Sequence, residues 1–386
     1  MMNEGVGSPM SSEFLNNPGA VRATDETQAG VALHYGNPMR EQRELAAATA
    51  IVDLSHRAVI TITGADRLSW INSLTSQSVT NLMPGESSET LLLDMTGRIE
   101  YAVRLIDDGT ALWVLLEREQ TSGLLQWLSS MRFALRVELA DRTDDFATIG
   151  TLGQPELPVA APHGVPLVWH DPWMNVSQGG HQYAAVTRHP AAGWTYSELL
   201  LPRTELAGIA ASGIAVAGLL ALDALRIAAW RPGFSTEVDH RTIPHELDWL
   251  RTAVHLSKSG YRGQQTVAKV HNLGHPPRRL VMLYPNDLDI PLPTTVLPSR
   301  GDEVAVLNDE GQSTSVGHVT SVARHFELGS IALAVIKRGT DPSTELVVRT
   351  ASRDMTARQV VIVPPDAGAS ASVALPRLPR RRPALA

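Results

Sequence analysis

Alternating hydrophobic and polar positions predict a series of short strands in the first third of the chain. The stretch 58–63 indicates a strand, and a turn at Gly64 leads into a helix that Asp66 is expected to cap and that continues to about Ser76. Further strands are predicted at 89–93, 99–106, 111–116 and 136–139, with a helix at about 118–131. Strands that follow one another through short turns favour an α+β unit built on an antiparallel sheet.

The longest apolar run, at 206–222, predicts buried secondary structure and not a membrane span. Gly208, Gly213 and Gly218 interrupt the run, which falls short of the ~20 apolar residues that a membrane-spanning helix needs. We interpret it as a packed helix that ends near Gly213, followed by a turn into a second buried element. A membrane is therefore not expected among the partners of this chain.

The last third of the chain has the pattern of a small β-barrel. Pro276 and Pro277 cannot continue a helix, so they predict an extended linker. Beyond the linker, short strand-like runs recur between turn signals, at 280–284, 303–307, 316–322 and 331–336. The expected organisation is a disordered stretch at 1–30, an α+β region at 31–275, a barrel domain at 276–363, and a disordered, proline- and arginine-rich tail at 364–386.

Composition excludes several classes of function. The chain has 386 residues, of which 43% are hydrophobic and 19% charged, which is enough for two or three domains with their own cores. A formal net charge of -7 argues against a protein that coats nucleic acid. The absence of cysteine excludes disulfides, thiolate metal sites, cysteine-ligated Fe–S clusters and thiol nucleophiles. Residues 1–30 show no secretory signal pattern, so a cytoplasmic location is expected.

The most distinctive stretch of the chain is 258–265, with the sequence Lys-Ser-Gly-Tyr-Arg-Gly-Gln-Gln, which we call the signature loop. Its two glycines can take positive φ or let a ligand approach the backbone closely. They lie among an ammonium group, a phenol, a guanidinium group and two amides, all of which form hydrogen bonds. The spacing alone leaves two interpretations open, a loop that holds a polar planar ligand and a glycine-kinked turn before a strand.

The signature loop resembles the motif Lys-Gly-Cys-Tyr-x-Gly-Gln-Glu of the YgfZ-type folate-binding proteins, which are relatives of the glycine cleavage T-protein, an aminomethyltransferase. Gly260 replaces the cysteine of the motif, and Gln265 replaces its final glutamate. Other stretches are similar to family segments in the same order, namely 52–57, 64–66, 82–85, 97–99, 224–227, 316–321 and 329–334. The resemblance implies an α+β, T-protein-like fold of three subdomains around a folate-sized central hole. Two interleaved subdomains would occupy 31–275, and the barrel would be the third.

The resemblance also implies a bound cofactor, tetrahydrofolate or a derivative, held without a covalent bond. Aromatic rings suit the pterin face, amides suit its polar edge, and cations suit the glutamyl carboxylates. The candidate binding residues are Arg226, Trp230, Lys258, Gly260, Tyr261, Arg262, Gly263, Gln264 and Gln265. No catalytic residue is assigned, and Lys258 and Tyr261 are the candidates. Trp249 is a further candidate for stacking, with core packing as the alternative.

The chain departs from the family pattern where the chemistry is expected. The family's folate-orienting aspartate has no counterpart in the segment that contains Glu100 and Tyr101, and its pterin-reading glutamate falls on Ala228. Losing that carboxylate removes a charge-assisted hydrogen bond worth ~1.5–3 kcal/mol. Folate binding would then be weaker, depend on Glu237 or Asp239, or be lost, and aminomethyl transfer is not expected.

A metal site is the alternative use of the polar residues that surround the signature loop. Five histidines lie close together in sequence, namely His240, His245, His255, His271 and His275. None of them matches a zinc motif, and the glycine and proline beside His275 argue against a helix that would align His271 with it. We therefore predict no metal in this chain.

Three functions remain open at this point. The first is a YgfZ-like folate-binding accessory protein, which the resemblance ties to iron–sulfur cluster assembly or repair and to some tRNA modifications. Its partners would be a reduced folate and Fe–S proteins or their assembly machinery. The second is a tetrahydrofolate-dependent one-carbon transferase, and the third is a scaffold without a ligand. The resemblance favours the first, so an accessory protein is expected more than an active aminomethyltransferase.

Overall fold

The computed structural model describes residues 11–286, 297–308 and 310–371. Its α-helices are α1 (Pro38–Ala46), α2 (Arg67–Leu74), α3 (Thr121–Ser130), α4 (Leu206–Ala211), α5 (Leu219–Ala228), α6 (Phe234–Glu237) and α7 (Gln264–Leu273). Short 3-10 helices lie at Glu13–Asn16, Glu26–Gln28, Arg118–Gln120, Pro172–Met174, Pro190–Gly193, Arg203–Glu205, Pro244–Leu247 and Trp249–Arg251. Within these described ranges, no helix has the length and apolar character needed to cross a membrane.

The strands form a hairpin, two larger sheets and a barrel. Those of the hairpin and larger sheets are β1 (Ala20–Arg22), β2 (Ala32–Tyr35), β3 (Ala50–Asp53), β4 (Ala58–Thr63), β5 (Ser87–Leu93), β6 (Ile99–Asp107), β7 (Ala111–Leu116), β8 (Glu138–Asp141), β9 (Phe146–Thr151), β10 (Val168–His170), β11 (Ser197–Pro202) and β12 (Ala215–Ala217). Those of the barrel are β13 (Arg278–Pro285), β14 (Glu303–Leu307), β15 (Ser313–His325), β16 (Gly329–Lys337), β17 (Leu346–Arg349) and β18 (Asp354–Val361).

The first larger sheet is the predicted antiparallel meander, with strand order β5-β6-β7-β4-β8. Helices α2 and α3 pack on it through Trp70, Ile71, Leu124 and Leu128, because apolar side chains recur on one face of each helix. Strand β4 has the predicted bounds, whereas β8 begins two positions later than predicted. Asp66 precedes α2 as predicted, but its carboxylate accepts hydrogen bonds from Arg136 and not from the helix amides.

The second larger sheet has the strand order β10-β11-β9-β3-β12, in which only β12 runs parallel to its neighbour among the described pairs. The apolar run at 206–222 forms α4, β12 and the start of α5, and α4 ends shortly before Gly213 as predicted. Helix α5 packs against both α1 and barrel strand β15. It therefore connects the second sheet to the barrel.

The barrel closes in the order β13-β16-β15-β14-β17-β18, with every neighbouring pair antiparallel. Its interior is filled by alternating apolar residues such as Val281, Leu283 and Val304. The predicted α+β fold with a small C-terminal barrel is confirmed. Because a closed barrel leaves no free strand edge, it forms a stable support for the elements that pack on it.

Two predictions of disorder are wrong for the residues that the structure describes. In the predicted disordered stretch 1–30, residues 11–30 form strand β1 and two 3-10 turns, and Phe14 is completely buried beside Ile51 and Leu206. In the predicted tail, the buried side chain of Ala367 and a hydrogen bond from the Ala369 amide to the Gly274 carbonyl (2.8 Å) hold the start of the segment. The two stretches are polar in composition, so the few buried residues that anchor them could not be recognised from the sequence. Residues 1–10 and 372–386 lie outside the described ranges.

We predict that Phe14→Ala lowers the free energy of unfolding by about 3–5 kcal/mol, because the substitution leaves a cavity in a fully buried position. Phe133→Ala is the matched control. Its side chain is 82% exposed, so the change should stay within about 0.5 kcal/mol. Urea unfolding of the two variants checks this, and equal stability of both would contradict an ordered N-terminal segment.

Candidate functional site

A cavity of about 120 Å³ lies between the two larger sheets and opens to solvent at its mouth. Strands β5 and β6 of the first sheet and β10 and β11 of the second line it, together with α5 and the 3-10 turn Glu26–Gln28. Its charged lining residues are Arg57, Glu89, Arg104, Glu117, Asp171, Glu198, Asp223, Arg226 and Arg231. A cavity with polar groups converging from separate strands is typical of a small-molecule site.

One wall of the cavity is an ion cluster of two arginines and two glutamates. Arg104 on β6 lies 3.0 Å from Glu198 on β11 and 3.3 Å from Glu117. Arg57, which precedes β4, contacts both carboxylates, and the Tyr196 hydroxyl donates to Glu198 Oε1 at 3.0 Å. Glu198 Oε2 is buried and has no hydrogen-bond partner among the described residues. The cluster joins the two sheets and leaves one acceptor free.

The ion cluster fixes the protonation of its members. Burial raises the pKa of Glu117, but the charges of Arg57 and Arg104 outweigh burial and lower that pKa to about 2. Burial, together with the Glu198 charge, raises the pKa of Tyr196 well above its usual value. Glu117 is therefore an ionised and weakly basic carboxylate at neutral pH, and Tyr196 remains a neutral hydrogen-bond donor.

A second ion cluster centres on Arg231, in the loop that follows α5. Its guanidinium group lies 2.5 Å from Glu89 on β5 and 3.0 Å from Asp171 beyond β10. The Trp249 ring lies 5.6 Å from the Arg231 guanidinium carbon, and Trp194 Nε1 donates to Asp171 at 2.8 Å. Burial would lower the pKa of Arg231, but the two carboxylates raise it. Arg231 Nη1 has no partner among the described residues, so one buried donor is free.

Arg226 forms a third group and connects the cavity to the barrel. It pairs with Asp223 at 3.1 Å and Glu237 at 3.0 Å, and donates to the hydroxyl of Ser321 on β15 at 2.9 Å. Glu237, which the sequence offered as a replacement pterin ligand, is thereby committed to Arg226. Asp239, the other replacement, pairs with Arg278 at 2.6 Å and is not in the cavity lining.

Of the candidate binding residues, Arg226 lines the cavity, whereas residues 258–265 and Trp230 do not. Lys258 donates to the carbonyls of Thr75 and Gln77, each at 2.6 Å, and burial lowers its pKa to about 8. Arg262 pairs with Glu100 at 2.8 Å. Glu100 is likewise absent from the lining. The role of the signature loop in folate binding stays a prediction.

The other members of the signature loop are tied to one another or to the first sheet. Tyr261 is buried, and the Gln264 side chain bridges the Gly260 amide at 2.9 Å and the Lys258 carbonyl at 3.0 Å. Gly263 has φ +80°, and a Cβ there would lie 2.5 Å from the Asp94 carbonyl oxygen, so only glycine fits. Gly260 and Gln265 are exposed at the surface. The glycine-kinked turn leads into helix α7 and not into a strand.

The tryptophans have different positions. Trp230, with φ 59°, is buried and donates from Nε1 to Met282 Sδ at 3.1 Å, on the barrel side. Trp249 is buried, as the core interpretation predicts, and it also lines the cavity, as the ligand interpretation predicts. Trp169 and Trp194 also line the cavity and were not singled out from the sequence.

Sequence reasoning missed the charged residues that face one another across the cavity. Glu89, Arg104 and Glu198 come from three strands on two sheets and belong to no motif. The available signal was a charged residue inside an otherwise apolar strand, since such residues are rarely buried unless they are paired. Ala228, the position of the missing family carboxylate, ends α5 and is partly buried against the core.

The histidines do not converge on one point, although His245 and His271 both lie beside the Tyr183 ring. His271 lies in the last turn of α7 and forms a 3.0 Å hydrogen bond with the Tyr183 hydroxyl, whereas His275 follows the helix and contacts the Ala367 carbonyl at 2.8 Å. Burial lowers the pKa of His245 to about 3. Across the described ranges, no group of three or more histidine, aspartate or glutamate side chains is arranged to hold a metal ion.

Comparisons with known proteins show that this chain is similar to aminomethyltransferases. Residues 26–155 match the family model of the GCVT N-terminal domain. The aminomethyltransferase of Synechococcus elongatus is 26% identical over 324 residues, which cover 79% of this chain and 81% of the relative. That of Nitrosococcus oceani is 24% identical over 353 residues, covering 87% and 89%.

Among solved structures, the glycine cleavage system aminomethyltransferase T from Bartonella henselae matches with a TM-score of 0.68 and 18% identity, over 92% of this chain and 96% of that one. This likeness confirms the T-protein-like fold. Together with the sequence relatives, it supports a place for the chain in the T-protein superfamily.

We predict that Glu117→Gln reduces the loss of unfolding free energy that occurs as the pH is lowered. The folded-state pKa is about 2 against 4.5, so the ion pairs contribute stability that is present above pH 4.5 and is lost as the pH falls from 4.5 towards 2. This shift corresponds to roughly 3 kcal/mol at neutral pH. Urea unfolding of wild type and variant at neutral and acidic pH measures the slope.

Glu138→Gln is the control for this experiment, because Glu138 is exposed on β8 and should leave the wild-type pH dependence unchanged. If Glu117→Gln loses as much stability on acidification as wild type does, the assignment of the ion cluster is wrong.

Proposed function

We propose that the cavity binds a reduced folate and that the chain is a folate-binding accessory protein of YgfZ type, not an aminomethyltransferase. The observation that carries the proposal is that buried polar groups in the lining have no partner among the described residues, among them the acceptor Glu198 Oε2 and the donor Arg231 Nη1. A buried polar group without a partner costs ~1–3 kcal/mol, so a ligand that satisfies both is favoured.

The lining residues fit a reduced folate. Enzymes of the GcvT family use tetrahydrofolate. A pterin has a planar face, which the indole rings of Trp169, Trp194 and Trp249 suit, and a polar edge with both donors and acceptors. Glu198 and Arg231 would hold that edge. A bound reduced folate supplies nitrogen atoms that carry one-carbon units, and the residues of this chain would bind it, orient it and exclude water.

The preference for binding over transfer rests on the state of the carboxylates. Glu117 and Glu198 are paired with arginines, and the lowered pKa of Glu117 makes it a weak base. Burial raises the pKa of Asp171, yet both its oxygens accept hydrogen bonds from protein donors. Glu100, the nearest substitute for the family aspartate, is paired with Arg262 away from the cavity lining. These arrangements favour ligand binding over proton transfer to or from the ligand.

The accessory role rests on the similarity of the signature loop, with Fe–S proteins or their assembly machinery, and tRNA modification, as the proposed clients. Gly260 lies at the exposed tip of the loop, where an added Cβ would meet no atom within 4 Å. The tip is therefore accessible to a partner although it has no thiol. A role that depends on loop shape and not on sulfur is consistent with this position.

A one-carbon transferase is the second candidate, favoured by the curated relatives, which are named aminomethyltransferases. The two candidates differ in turnover. Folate-dependent release of ammonia from an aminomethylated carrier protein would support the transferase, and its absence in a chain that binds folate would support the accessory protein.

We predict that 5-formyltetrahydrofolate binds the purified chain, and that Glu198→Gln weakens binding about ten- to hundred-fold because a charged acceptor worth ~1.5–3 kcal/mol is lost. Calorimetric titration measures affinity, and melting temperatures verify that each variant is folded. Glu138→Gln, exposed on β8, should bind as wild type does. No heat and no thermal shift at millimolar ligand would contradict the proposal.

We predict that the natural chain restores Fe–S enzyme activity in a cell that lacks its own YgfZ-type protein. Gly260→Cys is the informative variant, because the site has room for a side chain, although φ +83° strains it by roughly 1–2 kcal/mol. Restoration by the natural chain supports a thiol-free role. Restoration by Gly260→Cys alone would contradict it.

A further inference from the structure

The signature loop lies outside the cavity, but buried hydrogen bonds connect it to the cavity wall. Lys258 Nζ donates to the Gln77 carbonyl at 2.6 Å, and Gln77 Nε2 donates to the Thr252 carbonyl at 2.8 Å. The Thr252 hydroxyl donates to Glu89 Oε1, and Glu89 Oε2 pairs with Arg231 at 2.5 Å. We call these five residues the Lys258–Arg231 chain. It runs from the signature loop to a residue that lines the cavity.

Each member of the Lys258–Arg231 chain is buried, so its hydrogen bonds are shielded from water and hold strongly. At the loop end, the Lys258 ammonium group also donates to the carbonyl of Thr75, the residue that follows the last residue of α2. A cation at this position interacts favourably with the helix C-terminus. Lys258 therefore fixes the position of the signature loop relative to the first sheet.

At the cavity end of the Lys258–Arg231 chain, two neighbouring residues have strained backbone conformations. Trp230 and Asp248 have φ values of 59° and 56°, which side chains other than glycine rarely adopt. They immediately precede Arg231 and Trp249, and these two residues both contact Glu89. Such conformations cost of order 1–3 kcal/mol each and persist where the surroundings enforce them. A change in the contacts of Arg231 acts directly on this strained segment.

We propose that Lys258 is a positioning residue that couples the signature loop to ligand occupancy of the cavity. Arg231 Nη1 has no partner among the described residues, so an acceptor on the ligand would bind there and shift the balance of Arg231 between Glu89 and Asp171. The change passes through Thr252 and Gln77 to Lys258 and the exposed tip at Gly260. A protein partner that binds the tip would thereby distinguish the protein with a ligand in its cavity from the protein without one. The coupling rests on the proposed folate-binding function.

The test is hydrogen–deuterium exchange of residues 256–263 in the full chain, with and without saturating 5-formyltetrahydrofolate. The reporter is the Gly260 amide, which donates to Gln264 Oε1. Coupling free energies between sites are typically 1–3 kcal/mol, so the ligand should slow exchange of the loop by at least about five-fold. A purely structural Lys258 would show no dependence on the ligand.

Thr252→Val removes the hydroxyl bond to Glu89 and keeps the carbonyl that Gln77 binds. We expect this variant to bind the ligand within a few-fold of wild type while the loop no longer responds to it. Thr148→Val is the matched control, a buried threonine whose hydroxyl has no partner among the described residues, and its loop should respond as in wild type.

The outcomes separate the coupling from the function on which it rests. Binding heat without any change in loop exchange would overturn the coupling alone. A full response in Thr252→Val would also overturn it, because the signal would then bypass the Lys258–Arg231 chain. The absence of binding heat would overturn the proposed function and the coupling together.

Discussion

The contacts of Arg231 with Glu89 and Asp171 are the constraint on which the rest of the site depends. They join the loop after α5 to a strand of the first sheet and to the end of a strand of the second. Removing one partner of a buried ion pair typically costs 3–5 kcal/mol, because the remaining charge is left without compensation. The two sheets therefore meet at a fixed distance, and the cavity lies in the space between them.

Burying a charge is costly unless an opposite charge compensates it, and this cost accounts for the pairing of charges in the cavity lining. Arg57 and Arg104 compensate Glu117 and Glu198 in the same way, so the cavity contains many charges in nearly neutral groups. Neutral groups of fixed geometry present hydrogen-bonding atoms without strongly attracting ions. This property suits a ligand with a polar edge and an apolar face, and it suits retention of that ligand more than proton transfer.

Sequence patterns were sufficient for the elements whose side chains alternate or cluster locally. Strands β4, β7 and β14 have the predicted bounds, and the barrel follows from repeated short strands. The ordered N-terminal segment was missed because Phe14 is one apolar anchor within a polar and mostly exposed stretch. The cavity was missed because Glu89 and Glu198 come together through the packing of two sheets, which local spacing does not encode. The signature loop was recognised, but its contacts with α2 and the first sheet depend on long-range folding.

We propose that the ligand site is the cavity between the sheets, with Glu198 and Arg231 at its polar contacts. A crystal structure of the chain with 5-formyltetrahydrofolate tests it most directly. We expect a pterin ring in the cavity, with its polar edge within hydrogen-bond distance of Glu198 Oε2 and Arg231 Nη1. A ligand bound against the exposed side of the signature loop, with the cavity empty, would contradict it.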